Sequence, residues 1–208
     1  MAINATNEGG NFELAPAGSF SARCYSMVHI GTIKEVFKGE EKMFNKVRIS
    51  WELPTEQKEF KPGEGLKPIS ISKEFNLSMN EKSNLRKFLE GWRGKGFTEE
   101  ESKSFDITKL LGKTCMLSII HKTSGKGNKY ADINSASSLP KGLVCPDQIN
   151  PNFEFSFTPF DDKKFSSLPE FLKKKIVESV EYKKLFSPEH TESQETSLVP
   201  NSGDDLPF

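Results

Sequence analysis

Val47, Ile49, Trp51 and Leu53 alternate without interruption against Lys46, Arg48, Ser50 and Glu52. A period of two over eight residues admits a β-strand with one buried face and excludes an amphipathic helix. The same period appears on either side. Gly18 to Gly39 ("GSFSARCYSMVHIGTIKEVFKG") is rich in β-branched and aromatic residues, and the short link "KGEEK" joins it to "MFNKVRISWELP" as a hairpin. Pro54 to Lys67 is polar with Pro and Gly and reads as a loop. In "KPISISKEFNLS", Ile69 and Ile71 alternate with serines as a third strand.

The period then lengthens to about 3.6. In "SMNEKSNLRKFLEGW", Leu85, Phe88, Leu89 and Trp92 fall on one face of a helix. Ser78 with Glu81 three residues later predicts its capping box, and Gly91 and Gly94 mark its exit. A short helical turn is expected in "FDITKLLGK". "TCMLSIIHK" and "KYADINSAS", joined by "TSGKGN", form a second hairpin, and "LPKG" closes the block. The result is mainly β: five strands with a helix between the third and fourth, the order of an OB-fold barrel. Another small barrel or sandwich is the alternative.

Further along, 143–164 is a connection bearing Pro and Phe. Residues 165–186 read as one amphipathic helix with Leu168, Phe171, Leu172, Ile176, Val180 and Leu185 in its stripe. That stripe suits packing on the barrel, with a partner or a second copy of the chain (a homo-oligomer) as the alternative. The expected organisation is an irregular lead-in over 1–17, the OB-fold domain over 18–142, linker and helix over 143–186, and a disordered acidic tail over 187–208.

The 208 residues balance 29 basic against 29 acidic side chains, but unevenly along the chain. Residues 187–208 hold five acids and no Lys or Arg, so residues 1–186 carry a net charge of +5. No apolar run is long enough for a membrane span. The N-terminus lacks the basic stretch and apolar core of a signal peptide, which predicts a cytoplasmic protein. Cys24, Cys115 and Cys145, like His29, His121 and His190, have no metal-ligand or disulfide-framework spacing, so no metal and no cofactor is expected. "TSGKGNKY" lacks P-loop spacing and joins two strands; GxSxG and HExxH are absent. Asp161-Asp162 reads as a solvated helix start. No enzymatic activity is expected.

Binding is the better expectation. Arg23 and Tyr25 on the first strand, Phe44, Lys46 and Arg48 on the second, Lys73 and Phe75 on the third, and Lys122, Lys126, Lys129 and Tyr130 on the second hairpin interleave cations with aromatics. Cations track phosphates and aromatic rings stack on bases, which is what binding single-stranded DNA with little sequence preference requires. The chain ends Asp204-Asp205-Leu206-Pro207-Phe208. Such a peptide suits an apolar pocket with a basic rim on a protein partner.

This "DDLPF" tip resembles the C-terminal tip of bacterial single-stranded DNA-binding proteins. The segments "ISKEFNLSMNEKSNLRKFLEGWRGKGFTEEE", "FDITKLLGKTCMLSIIHK" and "YADINSASSLPKG" resemble a bacteriophage family of OB-fold single-stranded DNA-binding proteins, over about Gly18 to Gly142. The resemblance implies phage DNA replication or recombination in a bacterial host cytoplasm. Through Phe208 it implies recruitment of a polymerase, helicase, primase or nuclease. Rival readings are a recombination mediator or protein-recruiting adaptor whose barrel is a scaffold, and a nuclease or nuclease inhibitor.

Overall fold

The computed structural model describes residues 14–187. The protein is mainly β, built on one open antiparallel sheet of six strands. The strands are β1 (Gly18–Phe37), β2 (Glu40–Lys58), β3 (Lys67–Asn76), β4 (Thr114–Thr123), β5 (Lys129–Ser137) and a short β6 (Phe153–Phe155). Their order is β3-β2-β1-β4-β5, with β6 also paired to β1. Helix α1 (Asn84–Arg93) lies between β3 and β4, as the change of period predicts. The chain divides into two compact units that do not follow chain order. Among the described residues the first comprises 14–28 and 47–154, the second 29–46 and 155–187.

In the first unit the alternation of β2 reports the core directly. Val47, Ile49, Trp51 and Leu53 are all fully or almost fully buried. The opposite face departs from expectation, because Ser50 and Glu52 are buried as well. The Glu52 carboxylate accepts hydrogen bonds from the Ile149 N–H (2.7 Å), the Asn150 N–H (2.8 Å) and the Asn150 side-chain amide (2.6 Å). A buried carboxylate is tolerated only when its lone pairs are satisfied. Here the 149–150 backbone satisfies them, which fastens the connection after β5 across the strand. β2 also runs on to Lys58, beyond the loop boundary expected at Pro54.

Helix α1 is capped by Ser83 rather than Ser78; the Ser83 hydroxyl accepts from the Arg86 N–H at 3.1 Å. Residues 78–82 are held in local turns instead. The Ser78 hydroxyl accepts from the Asn80 N–H (3.3 Å), and the Asn80 side chain accepts from the Lys82 N–H (3.0 Å). Such bonds compete with helical ones. Leu85, Phe88, Leu89 and Trp92 are buried, each worth about 1.5–3 kcal/mol of transfer free energy. Trp51 meets Phe88 and Trp92 with ring centroids 5.5 and 5.8 Å apart, and the Trp92 indole N–H donates to the Thr114 carbonyl at 2.8 Å. Gly91 permits the helix to press on β5, since a Cβ there would lie 2.7 Å from the Ala136 carbonyl oxygen. The expected helical turn is a 3-10 turn at Ile107–Leu110, preceded by a short helix α2 (Glu99–Lys103) that the periodicity does not announce.

The second unit contains the tip of the β1–β2 hairpin. Its two-residue turn, Lys38-Gly39, has φ of +54° and +83°, the pattern of a type I′ turn. The expected single helix over 165–186 is three short ones: α3 (Asp162–Ser167), α4 (Glu170–Val177) and α5 (Val180–Leu185). Pro169 forces Leu168 into an extended conformation, ψ 149°, and Ser179 caps α5 by accepting from the Tyr182 N–H. Of the expected stripe, Leu168, Leu172 and Ile176 are buried, whereas Phe171 and Leu185 are exposed. Phe155, Phe157, Phe160, Phe165, Tyr182 and Phe186 form a continuous set of ring contacts. The Glu181 carboxylate accepts from the Thr32 N–H (2.6 Å) and hydroxyl (2.7 Å), fixing α5 to the hairpin.

Among the described residues no helix is long and apolar enough to cross a membrane. The DDLPF tip, Asp204 to Phe208, lies outside the described residues.

Candidate nucleic-acid interface

The second hairpin, β4–β5, carries the most accessible cations of the first unit that the sequence singles out. Lys122 stands directly opposite Tyr130 and Thr123 opposite Lys129 in the antiparallel register. The turn is closed by the Ser124 N–H to the Asn128 carbonyl (2.9 Å) and the Gly127 N–H to the Ser124 carbonyl (2.9 Å). Gly127, at φ +82°, allows the chain to reverse there. Lys126 and Lys129 are exposed and have no ion-pair partner among the described residues. Tyr130 is 43% exposed, enough to offer a ring to a base.

At its base the hairpin meets β3 through one carboxylate. Asp132 accepts from Lys73 Nζ at 2.8 Å on one oxygen and from Lys122 Nζ at 2.6 Å on the other. Lys73 also donates to the Ile133 carbonyl oxygen. The edges β3 and β5 are thereby linked by side chains. Burial alone would raise the Asp132 carboxyl, but the hydrogen bonds from Lys122 and Lys73 hold it below the ordinary carboxylate range. The Lys122 ammonium is raised chiefly by its hydrogen bond to Asp132.

The remaining residues are used differently. Arg23 is committed to backbone, donating to the carbonyls of Pro146 (2.6 Å), Gly112 (3.2 Å) and Cys145 (3.3 Å). It holds the segment after β5 rather than presenting its guanidinium to a ligand. Phe75 is a core residue, buried against Phe88 at 4.9 Å, so its ring offers no face for stacking. Both are corrections to the expected surface, and both follow from later chain segments folding over β1 and β3. Tyr25 is half-buried. Arg48 pairs with Glu74 at 3.4 Å. In the second unit, Lys46 is paired with Glu35 and mostly covered, and Phe44 is half-buried.

The structure thus gathers Lys73, Lys122 and Tyr130 around or beside Asp132, with Lys126 and Lys129 at the adjoining turn. It does not bring Arg23 or Phe75 to that surface. Asp132, Glu74 and Glu35, which set how much of the positive charge is neutralised, were not singled out by sequence reasoning. For Asp132 a signal exists: it stands two residues from Tyr130 on one strand and so shares its face. No group of three or more His, Cys, Asp or Glu among the described residues could hold a metal ion.

No protein-family model, no curated protein and no solved structure matches this chain.

Proposed function

We propose that this chain binds single-stranded DNA with little sequence preference, and that the β4–β5 hairpin is its principal contact. One observation carries the reading: Lys126 within a tight turn and Lys129 just after it, both unpaired among the described residues, stand beside the exposed ring of Tyr130 and the partly neutralised Lys122. Lysines of this kind can replace the counterions of a phosphate backbone, and an accessible tyrosine can stack on a base.

The strand order β3-β2-β1-β4-β5, with α1 between β3 and β4, supports an OB-type architecture whose seam lies between β3 and β5. In such a fold the β4–β5 loop belongs to the ligand-binding rim. The resemblance to phage single-stranded DNA-binding proteins supports a place in phage DNA replication or recombination in the host cytoplasm. The acidic stretch over 187–208, with its DDLPF motif, supports recruitment of a replication or repair protein.

The test is fluorescence anisotropy of a labelled oligo-dT titrated with full-length protein, beside matched duplex, at low and moderate salt. Tight, salt-sensitive binding that prefers the single strand is expected. Absence of binding at low salt overturns the reading and leaves a protein-recruiting adaptor.

A further inference from the structure

A cleft of about 330 Å³ opens between β3, α1 and β5 in the first unit. Its lining includes Phe75, Phe88, Gly91 and Ala136 as an apolar and backbone floor, and Asn84, Lys87, Asn134 and Ser135 as a polar rim. The four rim residues are exposed, and their side chains have no hydrogen-bond or ion-pair partner among the described residues. Two local features shape it. The close approach of α1 to Ala136, which Gly91 permits, brings Asn84 and Lys87 beside β5. A register shift then interrupts the β4–β5 ladder: Ser118 pairs with Ser135 and Ile119 with Ile133, leaving Asn134 as the extra residue. A bulge of this kind re-aims a side chain, and here both Asn134 and Ser135 are exposed in succession.

The volume is at the lower end of small-molecule pockets, about 300–1,000 Å³, room for one flat group. Two carboxamides each offer a donor beside an acceptor, the pattern that pairs with the N6 and N7 edge of adenine. Lys87 supplies a cation for an attached phosphate. We infer that this cleft takes a single adenine nucleotide of a bound DNA strand, its base edge on Asn84 and Asn134 and its phosphate at Lys87. The inference rests on the single-strand-binding reading and adds a base preference to an otherwise sequence-tolerant surface.

Two measurements separate the inferences. In anisotropy titrations, the wild-type protein is expected to bind oligo-dA about fivefold or more tightly than oligo-dT of equal length. The N84A/N134A variant is expected to bring that ratio close to one by losing affinity for oligo-dA. Equal wild-type affinities, or a ratio the variant leaves unchanged, overturn the cleft assignment and leave the proposed function standing. In the second measurement, 15N-labelled protein is titrated with deoxyadenosine monophosphate, deoxythymidine monophosphate or inorganic phosphate. Amide shifts at Asn84, Lys87, Asn134 and Ser135 that are larger with the adenine nucleotide uphold the cleft. Their absence overturns it even where oligo-dT binds. Such shifts in a protein that binds no oligonucleotide uphold a nucleotide pocket and sink the single-strand-binding reading.

Discussion

The two long hairpins look alike in sequence, each a pair of β-rich strands joined by a turn with Lys and Gly, yet they handle charge in opposite ways. Between Lys34 and Lys46 the β1–β2 hairpin carries four lysines and three glutamates. Across or along the strands, Lys34 is paired with Glu41, Lys42 with Glu40 and Lys46 with Glu35. From Lys122 to Tyr130 the β4–β5 hairpin carries three lysines and no acid, and only Lys122 is neutralised, by Asp132 at the base. Exposed pairs add little stability, about 0–1 kcal/mol each. What they change is the field that an approaching phosphate meets. One hairpin is an electrically quiet arm, and the other is a free positive tip.

The sharpest way to break this contrast is charge reversal on the free tip. K126E/K129E is expected to lower oligo-dT affinity more than tenfold at moderate salt. It should also flatten the dependence of log affinity on log salt by about 1.4, for two lost single-strand phosphate contacts. A salt series by anisotropy reads both, and an unchanged slope removes the hairpin from the interface.

Asp132 sharpens the contrast from the other side. D132N removes the negative charge beside Lys122 and Lys73 and is expected to raise affinity several-fold while lowering stability by about 1 kcal/mol. Because the folded Asp132 carboxyl lies below its ordinary value of 3.8, its stabilising contribution is complete above that value. It is lost as pH falls through the lowered folded value. The stability gap between wild type and D132N should therefore be constant near neutrality and close in acid, as denaturant midpoints over a pH series would show.

K34E/K42E, the matching reversal on the quiet arm, is expected to change affinity less than about threefold, since phosphate contact there is already opposed by glutamates. A loss as large as that of K126E/K129E would erase the distinction between the hairpins. Smallest of all should be G39A. The type I′ turn holds residue 39 at φ +83°, which costs an L-residue roughly 1 kcal/mol, so the melting temperature should fall slightly with affinity unchanged.

Much of the architecture was legible because strand and helix periods are local. The alternation at Val47 to Leu53 locates a core face, β5 spans the expected residues Lys129–Ser137, and Leu85, Phe88, Leu89 and Trp92 give the buried side of α1. What escaped depends on partners distant in sequence. Glu52 alternates as a surface residue should, and is buried only because Ile149 and Asn150 bring three donors to it. Arg23 resembles a ligand-binding cation until Pro146, Cys145 and Gly112 supply carbonyls. The helix start was misplaced because Ser78 satisfies the capping-box pattern while Asn80 closes a competing turn. At the site, Lys126, Lys129 and Tyr130 were visible as a basic and aromatic turn. The pairing that silences Lys46 needs Glu35, eleven residues away on the neighbouring strand.

Photocrosslinking gives the most direct test of the central claim. Full-length protein bound to an oligonucleotide containing 5-bromodeoxyuridine would be irradiated, digested with trypsin and mapped by mass spectrometry. The account predicts the dominant crosslink at Tyr130, in the peptide that begins after Lys129. A dominant crosslink at Phe44, in the peptide between Lys42 and Lys46, would contradict it by assigning the strand to the hairpin described here as electrically quiet.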